Sequence, residues 1–390
     1  MKINSLILKE DFYNTLTTSN KVVDSYAELI FNPNNTKIYQ ENTTSIKEGI
    51  TATNISLFPS YLTPVFRTSS NLQVKKILQK KITGYGVLIK NASDIDTFLK
   101  TEYKKSFKSN ILRFVTRFNT CFNANYRMFF SEISEEEYYF LMDTLKNMLT
   151  ERFSQRNDSN KILDNWQFYY KTTLNLIKEK KGSLFVIYHN NTPVHISINH
   201  HFDKLLFVSI PSFDINYSKF ALGNISLYKI LEWAIDNNYE IMDMSYGYLE
   251  YKRRWSNHIY EFHHHIIYQK NNIITLFFAN IEIYKLKFKN YLKSKNIDES
   301  VEKIKNKINK NNNFYNEINY KIENTTTNLI TDNLNPLIEN SEAFNFIKKP
   351  INDFLYTNKE HIDSLAVFVL IKDKEYILKG KIITQKLIIQ

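Results

Sequence analysis

Apolar and polar positions are most regular between residues 134 and 268. Ser134-Glu-Glu-Glu137 has capping-box spacing, with Ser134 as N-cap and Glu137 at the third helical position. The helix it opens carries Leu141, Leu145, Met148, Leu149 and Phe153 on one stripe. A second helix begins near Asp164, turns Trp166, Tyr170, Leu174 and Ile177 to its core, and stops at Gly182. Three strand-like runs follow, Ser183–Tyr188, Pro193–Ile198 and Leu205–Ile210, separated by Asn190-Asn191 and Phe202-Asp-Lys204. Such short separations predict an antiparallel meander, and Pro193 suits a strand start. Gly223 then precedes a helix with Leu227, Ile230, Leu231, Ala234 and Ile235 on one face, ended by Asn237-Asn238. Tyr239–Ser245 and His258–Tyr268 read as strands on either side of a cationic loop.

The flanks are less regular. Ile3–Leu8, Lys37–Tyr39 and Tyr85–Ile89 are β-like, and Gly84 and Gly86 around Tyr85 read as a turn into a strand. Residues 94–118 look helical and basic, with lysines and arginines on a face that reads as solvated. Residues 270–309 read as a charged amphipathic helical region, with Ile283, Leu286, Phe288 and Leu292 among many lysines. An Asn- and Thr-rich stretch follows. The chain then ends in strand-like runs, Ala366–Ile371, Tyr376–Leu378 and Ile382–Ile389.

A length of 390 residues allows two domains, or one large domain with an appendage. The hydrophobic share of 43% supports real cores, and seven Gly and seven Pro exclude collagen-like and Pro-rich classes. No run approaches the roughly 18 apolar residues of a membrane span. Met1–Glu10 is charged too early for a secretory signal. The lone Cys121 excludes an intrachain disulfide framework, and a cytoplasmic location is expected. The net charge of +11 raises a nucleic-acid partner. Lys, Asn and Ile abound in every segment, so a compositional bias explains the charge better, although any phosphate-bearing ligand would find the surface attractive.

The densest chemistry is Asp243-Met-Ser-Tyr-Gly-Tyr-Leu-Glu-Tyr-Lys-Arg-Arg-Trp255. Strand alternation puts Ile241, Asp243 and Ser245 on one side and Met242 and Met244 on the other, so the acid is expected to face a cleft. Asp243 is a candidate base, or a strand-end acid capping the turn from Ser245 to Gly247. Gly247 frees the backbone for close approach to a ligand, or simply makes a turn. If the following segment is extended, Tyr251, Arg253 and Trp255 point one way and Lys252 and Arg254 the other. Guanidinium groups there suit a phosphate or carboxylate, and the lysine supplies a point charge. Gly223 before a helix offers backbone N–H groups for phosphate. His263-His264-His265 would place two imidazoles on one strand face, but no third ligand has motif spacing, so no metal is expected. There is no G-x-S-x-G, Walker A or G-x-G-x-x-G motif.

Residues about 108–268 resemble the acetyltransferase-like domain of the GNAT superfamily, of the type annotated for cellulose biosynthesis (CelD/BioF2-like) and related to the FemAB peptidyltransferases. The likeness rests on the basic helix with Asn110-Ile-Leu-Arg-Phe114, the Tyr126 strand, the Ser134 helix and the meander. Ala221-Leu-Gly223 at a helix start also matches, and most specific is the strand ending at Asp243 with a glycine, Tyr251-Lys252 and Trp255. The resemblance implies an α+β fold, a mixed, twisted sheet flanked by helices, in two GNAT-like halves plus a C-terminal extension. Its divisions would be 1–107, an N-terminal half; 108–270, the acyltransferase domain; 271–309, helical; 310–348, an Asn-rich linker; and 349–390, a small strand-rich piece. The implied activity is N- or O-acyl transfer from acetyl-CoA or another acyl-CoA to an amine or hydroxyl of a small molecule or glycan precursor, by direct attack. Gly223, Asn224 and Ile225 would hold the coenzyme A pyrophosphate. Asp243, Tyr251 and Lys252 would be catalytic, and Ser245, Gly247, Arg253, Arg254 and Trp255 would bind substrate. The family's Arg/Gln-x-x-Gly-x-Gly/Ala pattern is replaced by Tyr217-Ser-Lys-Phe-Ala-Leu-Gly-Asn224. A Fem-type transferase using aminoacyl-tRNA and a non-catalytic binding protein on the same scaffold are the alternatives.

Overall fold

The computed structural model describes residues 7–41, 52–67, 72–90, 92–156, 161–296, 318–325, 336–339 and 341–390. Most of the strand expected over Ile3–Leu8, the end of the helical region 271–309 and about half of the linker 310–348 lie outside these residues, and the described part of that linker carries a strand, Tyr320–Asn324, and a short helix, Glu342–Phe346. Among the described residues the strands are, in chain order, β1 (Ile7–Asp11), β2 (Tyr26–Phe31), β3 (Thr36–Gln40), β4 (Ala52–Pro59), β5 (Leu62–Phe66), β6 (Leu72–Leu88), β7 (Ala124–Phe129), β8 (Gly182–His189), β9 (Thr192–Phe202), β10 (Leu205–Phe213), β11 (Ile241–Tyr246), β12 (His258–Gln269), β13 (Tyr320–Asn324), β14 (Ala366–Ile371), β15 (Glu375–Lys379) and β16 (Thr384–Ile389). In the second unit β9, β8 and β7 are neighbours, and in the first the largest sheet has the order β1-β4-β12-β6-β11-β10. It is mixed: β1 with β4 and β10 with β11 are parallel, whereas β6 runs antiparallel to both β11 and β12. The expected class, a mixed sheet with flanking helices, is the observed one.

The chain forms two compact units, each assembled from three separate segments. The first comprises the described parts of residues 1–92, 199–209 and 234–311. Its aromatic core includes Phe12, Tyr26, Phe58, Tyr61, Tyr260 and Phe262. The helix Ile273–Ser294 lays Ala279, Ile283 and Leu286 against Ala52, Ile77 and Ile266. Gly84 and Gly86 are interior to β6, not in a turn, because their backbones pair with β11 and β12 on both sides.

The second unit comprises the described parts of residues 93–198, 210–233 and 312–390. The Ser134 cap forms as read: its Oγ accepts the Glu137 N–H at 3.2 Å, and the helix Glu135–Arg156 follows. Leu141, Leu145 and Leu149 join Trp166, Leu174, Ile177, Ile196 and Ile198 in one core. The basic stretch 94–118 is two helices rather than one, Ile95–Glu102 and Lys105–Cys121, because Tyr103 is extended between them. The helix expected to stop at Gly182 ends at Lys178. Lys180 takes the left-handed backbone (φ +58°) and Gly182 already opens β8. The C-terminal strands form a four-stranded sheet, β13-β16-β15-β14. This region also carries the helix Lys348–Asn358, which the strand-rich reading missed. Asn352 Nδ2 donates to the Asn216 carbonyl at 3.0 Å, and Lys348 pairs with Asp214 at 3.1 Å.

Candidate active site around Asp243

Within the first unit, β11 sets Asp243 opposite Gly86 of β6 and Phe207 of β10. The side chain does not open on a cleft, as alternation predicts; Asp243 is fully buried. Its Oδ2 accepts the hydroxyls of Tyr61 at 2.7 Å and Tyr260 at 2.6 Å, and its Oδ1 accepts the Ser245 N–H at 2.6 Å. Facing a packed aromatic layer, a carboxylate must find donors inside the protein. Burial nevertheless outweighs these bonds and raises its pKa. The turn-capping role is therefore the one observed. Ser245 (φ +65°) and Gly247 (φ +97°) leave the usual backbone regions as the β11–β6 register shifts between Asp243 and Tyr246. The carboxylate holds that strained corner by its Ser245 bond.

The glycines of β6 make this packing possible. A Cβ on Gly84 would lie 2.1 Å from Cζ of Tyr260, so the phenol ring lies directly over a bare backbone. A Cβ on Gly86 would lie 2.9 Å from Cδ1 of Ile241. A third hydroxyl, that of Tyr13, is buried beside this cluster; burial and then the Asp243 charge drive its pKa upward.

The segment after the turn is not an extended cationic loop. Glu250–Trp255 is a short helix, and its i, i+3 spacing turns Lys252 and Trp255 inward together. Trp255 is fully buried, so its expected place on a substrate-facing surface is corrected to a core anchor. Arg253 is exposed and sits 3.6 Å from Glu250, an ion pair of small worth; Arg254 is exposed too, and Tyr251 is half-buried. Lys252 Nζ donates to the Tyr246 carbonyl at 2.9 Å. Burial lowers its pKa to about 8, against the opposing pull of Asp243. Folded Lys252 thus binds its proton less tightly than the unfolded chain does. Its contribution to stability should therefore rise as pH climbs from about 8 toward the ordinary lysine range.

Sequence reasoning missed His258. Its ring stacks on Tyr260 (centroids 5.9 Å apart, planes at 20°), and its Nε2 is buried without a hydrogen-bond partner among the described residues. Burial, then the charge of Lys90, lowers its pKa, which favours the neutral imidazole. Tyr13, Tyr61 and Tyr260 were missed as well. No spacing rule links them, since they meet only through the sheet.

The histidine triplet lies on β12. His265 bonds the Tyr26 hydroxyl at 2.8 Å and His264 meets Asn54 Oδ1 at 2.9 Å, while the strand register shifts between His263 and His265. Among the described residues no cluster of three or more His, Cys, Asp or Glu is placed to hold a metal.

Gly223, Asn224 and Ile225 belong to the second unit, in the first turns of the helix Leu222–Asp236. Space above Gly223 is open, since a Cβ there would meet nothing within 4 Å. No side chain would obstruct a phosphate-bearing donor at that position. The Asn224 and Ile225 N–H groups fit less well, because they donate to the Ala221 carbonyl at 2.8 and 3.3 Å in the helix's own first turn. Coenzyme A would be held there by fewer backbone donors than the sequence implied.

Residues 105–253 match the acetyltransferase (GNAT) domain family. This confirms the GNAT-type resemblance over that span. No curated protein matches the chain. Among solved structures, it is similar to a conserved protein of unknown function from Bacteroides thetaiotaomicron, at 11% identity and TM-score 0.39, over 55% of this chain and 70% of that one. It is similar to FemX at 9% identity and TM-score 0.38, over 54% and 71% of the two chains. A third similar structure is the C-terminal DUF2156 domain of a putative lysylphosphatidylglycerol synthetase from Agrobacterium fabrum, at 10% identity and TM-score 0.36, over 60% and 73%.

Proposed function

We propose that this protein is an acyltransferase that moves an acyl group from a thioester, in the first instance an acyl-CoA, to an amine or hydroxyl of a small molecule or cell-envelope or polysaccharide precursor. The match of residues 105–253 to the GNAT domain carries this reading. The acceptor's nitrogen or oxygen attacks the donor carbonyl carbon, the carbon–sulfur bond breaks, the thiolate leaves, and the acceptor gives up its proton. No covalent enzyme intermediate is needed; positioning and charge stabilisation supply the rate.

The first unit's residues take distinct roles in this proposal. Lys252, as a cation held by the Tyr246 carbonyl, stabilises negative charge developing on the donor. His258, whose Nε2 has no partner among the described residues and whose pKa is lowered, takes the acceptor proton in place of Asp243. Asp243 is a positioning residue, since both its oxygens are occupied. Tyr251 packs beside Lys252, and Ser245, Gly247, Arg253 and Arg254 border the substrate.

Thiol release from acetyl-CoA, followed from pH 6 to 10 with a panel of amines, tests this. The rate should fall as pH rises through about 8, where Lys252 loses its proton. Lys252→Met should remove that limb, and His258→Gln should slow turnover by about a hundredfold or more. An unchanged rate in both variants would refute these roles.

A second reading, transfer from an aminoacyl-tRNA, is favoured by the Asn224 and Ile225 N–H groups, which are engaged in the helix's own first turn. It requires tRNA binding that weakens steeply with salt.

A further inference from the structure

The helix Ile273–Ser294 is apolar on two opposite faces. One face is buried, through Ala279, Ile283 and Leu286. The other presents Ile274, Phe277, Ile281, Tyr284, Phe288 and Tyr291, exposed by 53, 59, 43, 70, 62 and 56%. Their spacing alternates three and four residues, which aligns them in one stripe along the helix. Ile273, 83% exposed, extends its N-terminal end. A stripe of this continuity differs from the scattered apolar residues normal on a protein surface.

The charges identify what covers it. At 100° per residue, exposed Lys285 and Lys287 flank the stripe on its two sides, and exposed Lys289 lies just beyond. The helix's acidic residue, Glu282, is on the buried face, where it accepts from Asn54 Nδ2 at 2.8 Å. The exposed side is therefore apolar in the middle and cationic at both margins. A second copy of the chain would bring lysine against lysine along the whole contact. Nucleic acid would match the charge but leave the isoleucines nothing to stack on. An anionic bilayer surface satisfies both features: the stripe enters the boundary between headgroups and acyl chains, and lysines reach the anionic headgroups. Aromatic residues suit that boundary as well. No described helix is long and apolar enough to cross a membrane, and this one is placed to lie on it.

We infer that the helix Ile273–Ser294 is a membrane-surface docking element that seats the protein on anionic lipid. This stands apart from acyl transfer and holds whatever the donor and acceptor are.

Flotation of the full chain with vesicles of phosphatidylcholine alone, or with phosphatidylglycerol added, tests it. The protein should float with the anionic vesicles, far less with the zwitterionic ones, and less at high salt. Phe277→Ser with Phe288→Ser should weaken binding by at least about tenfold. Lys285→Glu with Lys287→Glu should do the same, and neither pair should alter the thermal unfolding midpoint, because all four side chains are exposed. A folded protein that ignores anionic vesicles, or one whose binding survives both pairs of substitutions, overturns the inference. A dimer that these substitutions dissolve, or tRNA bound through the same residues without vesicle binding, also overturns it. Thiol release measured on the same variants without lipid should be unchanged, which separates failure of this inference from failure of the acyltransferase reading.

Discussion

Asp243→Ala is expected to lose about 3 kcal/mol of stability, because it strands three buried donors at once. Tyr61 Oη, Tyr260 Oη and the Ser245 N–H all end on this carboxylate, at 2.7, 2.6 and 2.6 Å. Asp243→Asn should cost much less, within about 1 kcal/mol, despite its equal size. The amide oxygen can still accept from Ser245, the two phenols can turn to accept from the amide nitrogen, and the cost of burying a charge disappears. The raised pKa of Asp243 points the same way. Its charged form is disfavoured on folding, so its contribution to stability falls as pH rises above the ordinary carboxylate range. Chemical denaturation of the two variants checks this. Equal losses would mean that charge, rather than hydrogen bonding, holds the site.

Gly84→Ala is expected to be comparably severe, at about 3 kcal/mol, although it adds one methyl group. A Cβ at 2.1 Å from the Tyr260 ring cannot be accommodated without moving a fully packed phenol, and that movement breaks the Tyr260–Asp243 bond. The cost should largely vanish in a Tyr260→Ala background, where the ring is gone. Unfolding of the two single variants and the double variant gives the coupling directly. Strict additivity would show that Gly84 is needed for backbone reasons unrelated to the ring.

These two expectations mark where the sequence was legible and where it was not. The meander, the Ser134 cap and the strands 239–245 and 258–268 were readable because each is set by periodicity or by a cap within a few residues. Asp243 stood out in the sequence too, as a carboxylate at a strand end before a glycine. Its surroundings were not. Tyr13, Tyr61, Gly84 and Tyr260 converge on it from distant parts of the chain, and strand pairing leaves no local mark of its partner. Alternation placed Asp243 on the strand side opposite the methionines, but both sides of β11 are buried, so side did not translate into exposure. Lys252 and Trp255 were assigned opposite faces on a strand period of two. The segment is one turn and a half of helix, and a period near 3.6 puts them together. The region 270–309 was legible as an amphipathic helix through Ile283, Leu286, Phe288 and Leu292, yet only the fold shows that Ile283 and Leu286 are buried while Phe288 belongs to an exposed stripe.

The most direct test of acyl transfer from coenzyme A is calorimetric titration of the full chain with acetyl-CoA and with desulfo-CoA, repeated on Lys252→Ala. The account predicts saturable binding of both by the native chain, weakened in the variant. A folded protein that binds neither compound would contradict it and leave aminoacyl-tRNA as the donor to test.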